Sequence, residues 1–263
     1  MKPTTVRQAV VSGSFYPKDP VVLREAVDRY LASAKKVSTI PKAIIAPHAG
    51  YVYSGPVAAS VYRSLENCKK PIERVVLVGP SHRVGFEGFA LSSAAFYSTP
   101  LGDIQVDTDA QNALVDLPSV AVIDEAHASE HSLEVQLPFL QQVLDRFKLV
   151  PVVVGTASAD RAAELLDRLW GSEETLVVIS SDLSHYHDYV TARKMDTETT
   201  RAIEAFDWQK LDYESACGRV PVCGLLYCAE KRGLKVQTLD LRNSGDTAGS
   251  RDRVVGYGAY LFH

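Results

Sequence analysis

Four short runs of uninterrupted apolar residues, at 43–46, 75–78, 150–154 and 176–179, punctuate the chain, and segments of helical periodicity lie between them. A strand that shows one face to water alternates polar and apolar residues, whereas a strand apolar throughout is buried on both faces. Such strands, interleaved with helices, call for a sheet covered by helices on both sides. The expected fold is therefore α/β: one three-layer αβα domain over residues 1–263 with a mostly parallel or mixed central sheet. No internal repeat, low-complexity tract or long Gly/Ser/Pro linker divides the chain.

The segments between the runs carry their own start signals. Asp19-Pro20 offers an N-cap followed by proline at the first helical position, and Leu23, Val27, Tyr30 and Leu31 then recur at helical spacing. Ser54-Gly55-Pro56 marks the opening of a second helix. Further helices are expected over 107–117, 133–147, 159–170, 189–206 and 221–231. Short strands at 88–92 and 104–106 lie around the turn Pro100-Leu101-Gly102-Asp103, and 236–241 and 254–262 read as closing strands. Some antiparallel pairing is expected in the middle and at the C-terminal end.

Composition excludes several classes. Hydrophobic residues are 46% and charged residues 23% of the chain, near the globular averages of about 45–50% and about 25%; a disordered chain, a collagen and a coiled coil are ruled out. The 28 basic against 32 acidic residues give a net charge of −4, without the basic excess of a nucleic-acid binder. No apolar stretch approaches the ~18 residues needed to cross a bilayer, so no membrane partner is expected. The opening MKPTTVRQAV has neither the apolar core nor the cleavage site of a signal peptide. Cys68, Cys217, Cys223 and Cys228 match no zinc-ribbon or CxxC spacing and read as free thiols of a cytoplasmic protein.

The chemistry gathers where the apolar runs end, the edge at which open α/β sheets bind ligands. The turns are Ala46-Pro47-His48-Ala49-Gly50, Gly79-Pro80-Ser81-His82, and 180–187, which holds Asp182, His185 and His187; four of the seven histidines sit in them. Proline fixes the backbone as it leaves two of the strands, and Gly50 and Gly79 permit sharp turning or close approach. A hydrogen-bonded structural histidine accounts for any one turn. Three together point to a metal or catalytic site, since imidazole is the commonest transition-metal ligand.

Other segments carry less. His127 and His131 stand at i, i+4, but the HExxH pattern is absent; Glu130-His131-Ser132 can cap a helix, or His131 can support or line the pocket. Arg219-Val220-Pro221 opens a helix that either binds an anion at its N-terminus or simply packs. The loop from Asn243 to Asp252 is longer than a hairpin needs, and Asp246 in it either closes a turn or supplies a carboxylate. No GxGxxG, GxxxxGK[ST] or GxSxG occurs.

Gly13-Ser14-Phe15-Tyr16-Pro17, APHAGYVYSG at 46–55, GPSH at 79–82, EHSLE at 130–134 with Gln136-Leu137-Pro138, SSDLSH at 180–185 and the late Ser-Gly-Asp loop occur in this order. In this combination the chain resembles the Memo family, whose bacterial and archaeal members are called AmmeMemoRadiSam system protein B. The resemblance implies an extradiol-dioxygenase-like fold, because Memo proteins are similar to class III extradiol dioxygenases, which open catechol rings with non-heme Fe(II). It further implies that His48 and His82 are metal ligands, that His185 is the acid/base residue with Asp182 beside it, and that Phe15 stands at the pocket mouth. The sequence departs at the third ligand. Animal members carry a cysteine in the loop before the last strand, but here no cysteine follows Cys228. Reading back from Val255 brings Asp246 or Thr247 near that place, and Asp246 would complete a two-histidine, one-carboxylate set.

Two function classes follow. One is a metal-dependent dioxygenase-type oxidoreductase holding Fe(II), with zinc or copper as alternative ions, and linked to the other AmmeMemoRadiSam components. The other is a non-catalytic scaffold module that binds a metal or a peptide in the same pocket.

Overall fold

The apolar runs become the middle of a nine-stranded mixed sheet. The computed structural model describes residues 5–68 and 70–263; Met1 to Thr4, part of the opening stretch read above for a signal peptide, lie outside it. In chain order the elements are β1 (Val6–Arg7), α1 (Pro20–Ser33), β2 (Ala43–Ala46), α2 (Tyr51–Tyr62), β3 (Arg74–Pro80), β4 (Phe89–Leu91), β5 (Phe96–Thr99), β6 (Gly102–Gln105), α3 (Thr108–Asn112) and β7 (Val120–Val122). There follow α4 (Asp124–Ala128), α5 (Leu137–Val143), β8 (Lys148–Val154), α6 (Ala159–Leu169), β9 (Thr175–Ser180), β10 (His185–His187), α7 (Tyr189–Glu204), α8 (Arg219–Lys231), β11 (Val236–Asn243) and β12 (Val254–Phe262).

Strands β2, β9, β3 and β8 lie side by side and parallel. Antiparallel strands flank them, β12 against β2 and β4 against β8. A small second sheet joins β1, β5 and β6. Because side chains alternate across a strand, each central strand feeds two cores. Ile44, Val75, Leu77, Val153 and Val178 pack under α1, α2 and α5. Ile45, Val76, Val78, Val152 and Val177 pack under α6, α7 and α8. This is the three-layer αβα arrangement expected. Pro151 is tolerated inside β8 because it pairs in register with Leu77 of β3, while β4 on the other side reaches only Val153 and Val154.

Several boundaries differ from expectation. The second helix starts at Tyr51 with Gly50 as its N-cap residue, so Pro56 lies inside it. The helix expected over 133–147 is a 3₁₀ turn at Glu134–Gln136 followed by the short α5. Residues 131–133 instead form the irregular segment that carries His131. No helix among the described residues is long and apolar enough to cross a membrane.

Candidate metal centre

Since β2, β9 and β3 are adjacent and parallel, their carboxyl ends share one edge, and β2 and β3 are only two strand spacings of ~4.8 Å apart. Across that gap the residues following β2 and β3 meet. His48 and His82 have ring centroids 5.1 Å apart. A third ring, His131, arrives from the loop after α4, with centroids 5.5 Å from His48 and 4.6 Å from His82. One ring nitrogen of each lies within 4.8 Å of the others, a group able to hold a metal ion. The loop can come this close because Gly79 has no side chain: a Cβ there would meet Ser132 Oγ at 2.9 Å. Ser132 Oγ donates to the Pro80 carbonyl at 2.8 Å and ties the loop to the end of β3.

The hydrogen-bond network sets which nitrogens are free. Ser180 Oγ has one proton and donates it to the Ser132 carbonyl at 2.6 Å, while accepting from Gln136 Nε2 at 2.8 Å. His48 Nδ1, 2.8 Å from the same oxygen, must therefore be the donor. Its Nε2 is left with a lone pair. His82 Nδ1 lies 2.9 Å from Glu130 Oε1. That carboxylate also accepts from the amides of His82, His131 and Ser132 at 2.6, 2.9 and 2.8 Å. These bonds outweigh its burial and hold its pKa down to about 2. It is thus an acceptor only, so His82 also keeps its proton on Nδ1 and presents Nε2. An imidazole steadied from behind by a carboxylate is the usual support of a metal-ligating histidine. His131 Nδ1 lies 3.3 Å from the same Glu130 oxygen and has no hydrogen bond.

Burial pushes the pKa of His131 down to about 4 and that of His48 well below the usual histidine range, with the neighbouring imidazoles adding to the effect. Neutral rings are the form a metal ion needs. Asp182, 4% exposed, accepts from the His48 amide at 2.7 Å. Burial raises its pKa to about 6 against the opposing pull of those amide bonds and of His185. His185 is half-buried on β10, and its charge bears on both His48 and Asp182. Phe15 stacks obliquely on His131, centroids 4.8 Å apart.

Asp246 is not brought to this cluster. Its oxygens are engaged in its own loop and with one tyrosine: one accepts from Tyr189 Oη at 2.6 Å and the other from the Asn243 amide at 3.1 Å, closing a capping box. His131 stands in the group instead. His127 and His187 also lie outside it. His127 is fixed between Tyr97 Oη at 2.7 Å and the Ala90 carbonyl at 2.9 Å, and His187 faces Glu214 at 3.6 Å. Sequence reasoning missed Cys217, whose Sγ lies 3.4 Å from His48 Nε2, because the two are 169 residues apart. It also left Glu130 as a capping residue, although an acid directly before the histidine was the available signal.

These features describe an α/β protein with a three-histidine cluster, backed by a buried carboxylate, at the carboxyl edge of its sheet. The family model for the Memo-like protein matches residues 7–261, and the chain belongs to the Memo family. Relatives span nearly its whole length. A "MEMO1 family protein" of Aquifex aeolicus is 37% identical over 98% of this chain and 99% of its own. One from Archaeoglobus fulgidus is 36% identical over 98% and 99%, and one from Sulfolobus acidocaldarius 35% identical over 96% and 97%.

Proposed function

We propose that the protein is a non-heme metal-dependent oxidoreductase of the extradiol dioxygenase type, with iron(II) held by His48, His82 and His131. The observation that carries this reading is the convergence of the three imidazoles, with buried partners holding Nδ1 of His48 and His82 so that each presents an Nε2 lone pair, that of His48 facing the Cys217 thiol at 3.4 Å. The residues fit a divalent ion. Imidazole suits iron, zinc and copper, and the buried Glu130 carboxylate offsets part of a dication's charge. When bound, the ion supplies Lewis-acid activation of a hydroxylated substrate and one-electron redox chemistry.

The chain's own residues do the rest. His185 takes a proton from the substrate hydroxyl and returns it later. Asp182 holds the His48 turn by accepting from its amide. Phe15 screens His131 from solvent at the pocket mouth. The setting we propose is cytoplasmic, beside the other AmmeMemoRadiSam components, on family membership alone.

One observation favours a second reading. The cluster contains no carboxylate ligand, and a three-histidine set also suits zinc; a module that binds a metal or a peptide without turnover would need no more. Metal analysis of untagged protein purified without chelators, followed by anaerobic Fe(II) loading and oxygen-uptake measurements across catechols, separates the two. One metal ion per chain and catechol-dependent oxygen uptake, abolished in His185→Gln with the metal retained, is the result expected. Metal without oxygen uptake leaves the binding module, and absence of metal overturns the oxidoreductase.

A further inference from the structure

A cavity of about 210 Å³ is lined by neighbours of the cluster histidines, though by none of the three themselves, and plays no part in the reading above. Pro80, Ser81, Thr156, Tyr213, Cys217 and Arg219 are among its lining residues. Two of these make the connection to the cluster: Ser81 directly precedes His82, and Cys217 Sγ touches His48 Nε2 at 3.4 Å. Arg219 is the only charged residue in the lining.

The state of that arginine is unusual. Its guanidinium lies 4.2 Å over the ring of Tyr213, whose own side chain is 79% exposed. Among the described residues it forms no ion pair. Among those residues its side chain has a single, long hydrogen bond, from Nη1 to the Leu211 carbonyl at 3.5 Å, and its Nε is enclosed with no acceptor. Arg63 Nε is enclosed without an acceptor too; what sets Arg219 apart is that its side chain lines a cavity with no acidic residue in the lining. The exposed arginines on aromatic rings, Arg193 and Arg251 on Tyr189 and Arg253 on Tyr186, line no part of this cavity.

We propose that this cavity is the anion subsite of the metal centre and takes the carboxylate of a short organic acid. The proposal deepens the metal-centre reading and rests on it for the other end of the substrate. A planar guanidinium with unused N–H groups matches a carboxylate in shape and charge. A single cation, with no second lysine or arginine in the lining, suits a monoanion better than a phosphate dianion. The volume is below the ~300–1,000 Å³ of pockets for drug-sized ligands, which limits the occupant to a carboxylate and a few carbons. Arg219 also begins α8, so the positive end of that helix adds to the same field.

The test is calorimetric titration of propionate, benzoate and inorganic phosphate into metal-free protein, with metal content assayed separately. Propionate or benzoate should bind with Kd in the range of about 1 mM. Arg219→Gln should weaken this at least tenfold, and Arg219→Lys, which keeps the charge but not the fork, by a smaller factor. Both variants should melt as the parent does and keep the same metal content after loading. Carboxylate binding that appears only in metal-loaded protein and survives Arg219→Gln would place the anion on the metal and overturn the subsite. So would phosphate binding as tightly as the carboxylates, or no binding at all. Carboxylate binding to a protein that takes up no metal would leave the subsite standing and remove the oxidoreductase.

Discussion

Residues 124–136 and 243–253 make an instructive pair. Both are polar segments with only short helical turns, and each offers a carboxylate and hydroxyls. In the first, Glu130, Ser132, Glu134 and Gln136 are all 2% exposed or less. Arg7 binds the Glu134 carboxylate and the carbonyls of Glu130 and His127, and Tyr16 Oη donates to Glu134 at 2.5 Å. In the second, Asp246 is exposed and its bonds stay within a turn and one tyrosine. Polarity alone does not separate the two. A ligand-bearing segment is one whose polar groups are buried and satisfied from behind, because only then is a ring or carboxylate held in place for an ion.

The largest effect expected from that difference is on metal content. His131→Ala should strip the ion as deeply as His48→Ala or His82→Ala, measured by metal analysis after dialysis. Retention of metal in His131→Ala alone would break the comparison. Glu130→Gln should follow, weakening metal affinity by about 10–100-fold in chelator competition. It should also lower the melting temperature, because three amides and one ring lose a charged acceptor.

The third effect is on stability against pH and concerns the other histidine of the same segment. His127 serves the fold: it is 2% exposed, and burial holds its pKa at about 4. Its folded-state pKa lies below the unfolded value of 6.5. Its contribution is therefore complete above pH 6.5 and is lost as the pH falls towards 4, where the unfolded chain binds the proton and the folded one resists it. The stake is about 3 kcal/mol. Urea unfolding of metal-free protein at several pH values in this window should show a shallower loss of stability in His127→Gln than in the parent. Equal slopes would mean that His127 is not held neutral by the fold.

Much of this was legible in the sequence because it is local. Runs such as 43–46 and 176–179 state their burial residue by residue, and the turn prolines and glycines state where the strands end. The approach of His48 to His82 follows once β2, β9 and β3 are neighbours, but their order in the sheet is set by packing. The third histidine of the cluster was not legible. His131 reaches the cluster through Gly79 and Ser132, and Arg7 anchors its segment from more than 120 residues away. Counting back through a loop from Val255 could find a position but not a direction. A local signal did exist, since Asn243 and Asp246 have the spacing of a capping box, in which both side chains turn back onto the backbone.

The smallest effect expected tests that last point. Asp246→Asn removes the charge that Tyr189 Oη and the Asn243 amide use, while keeping an oxygen of the same shape. The tyrosine bond lies at an exposed site, where water replaces a lost partner at little cost, and the remaining carbonyl oxygen can still accept from the buried Asn243 amide. The change should therefore destabilise the protein by no more than about 1 kcal/mol, read from the urea midpoint. Metal content and metal affinity should match the parent, because the cluster does not draw on this loop. If instead Asp246→Asn lowers metal affinity as far as Glu130→Gln does, the loop must swing its carboxylate onto the ion on binding. The capping box would then be a resting position, and the contrast between the two segments would hold only without metal. Restoring the turn hydrogen bond does not restore a charge, so Asp246→Asn separates these outcomes where Asp246→Ala would lose both.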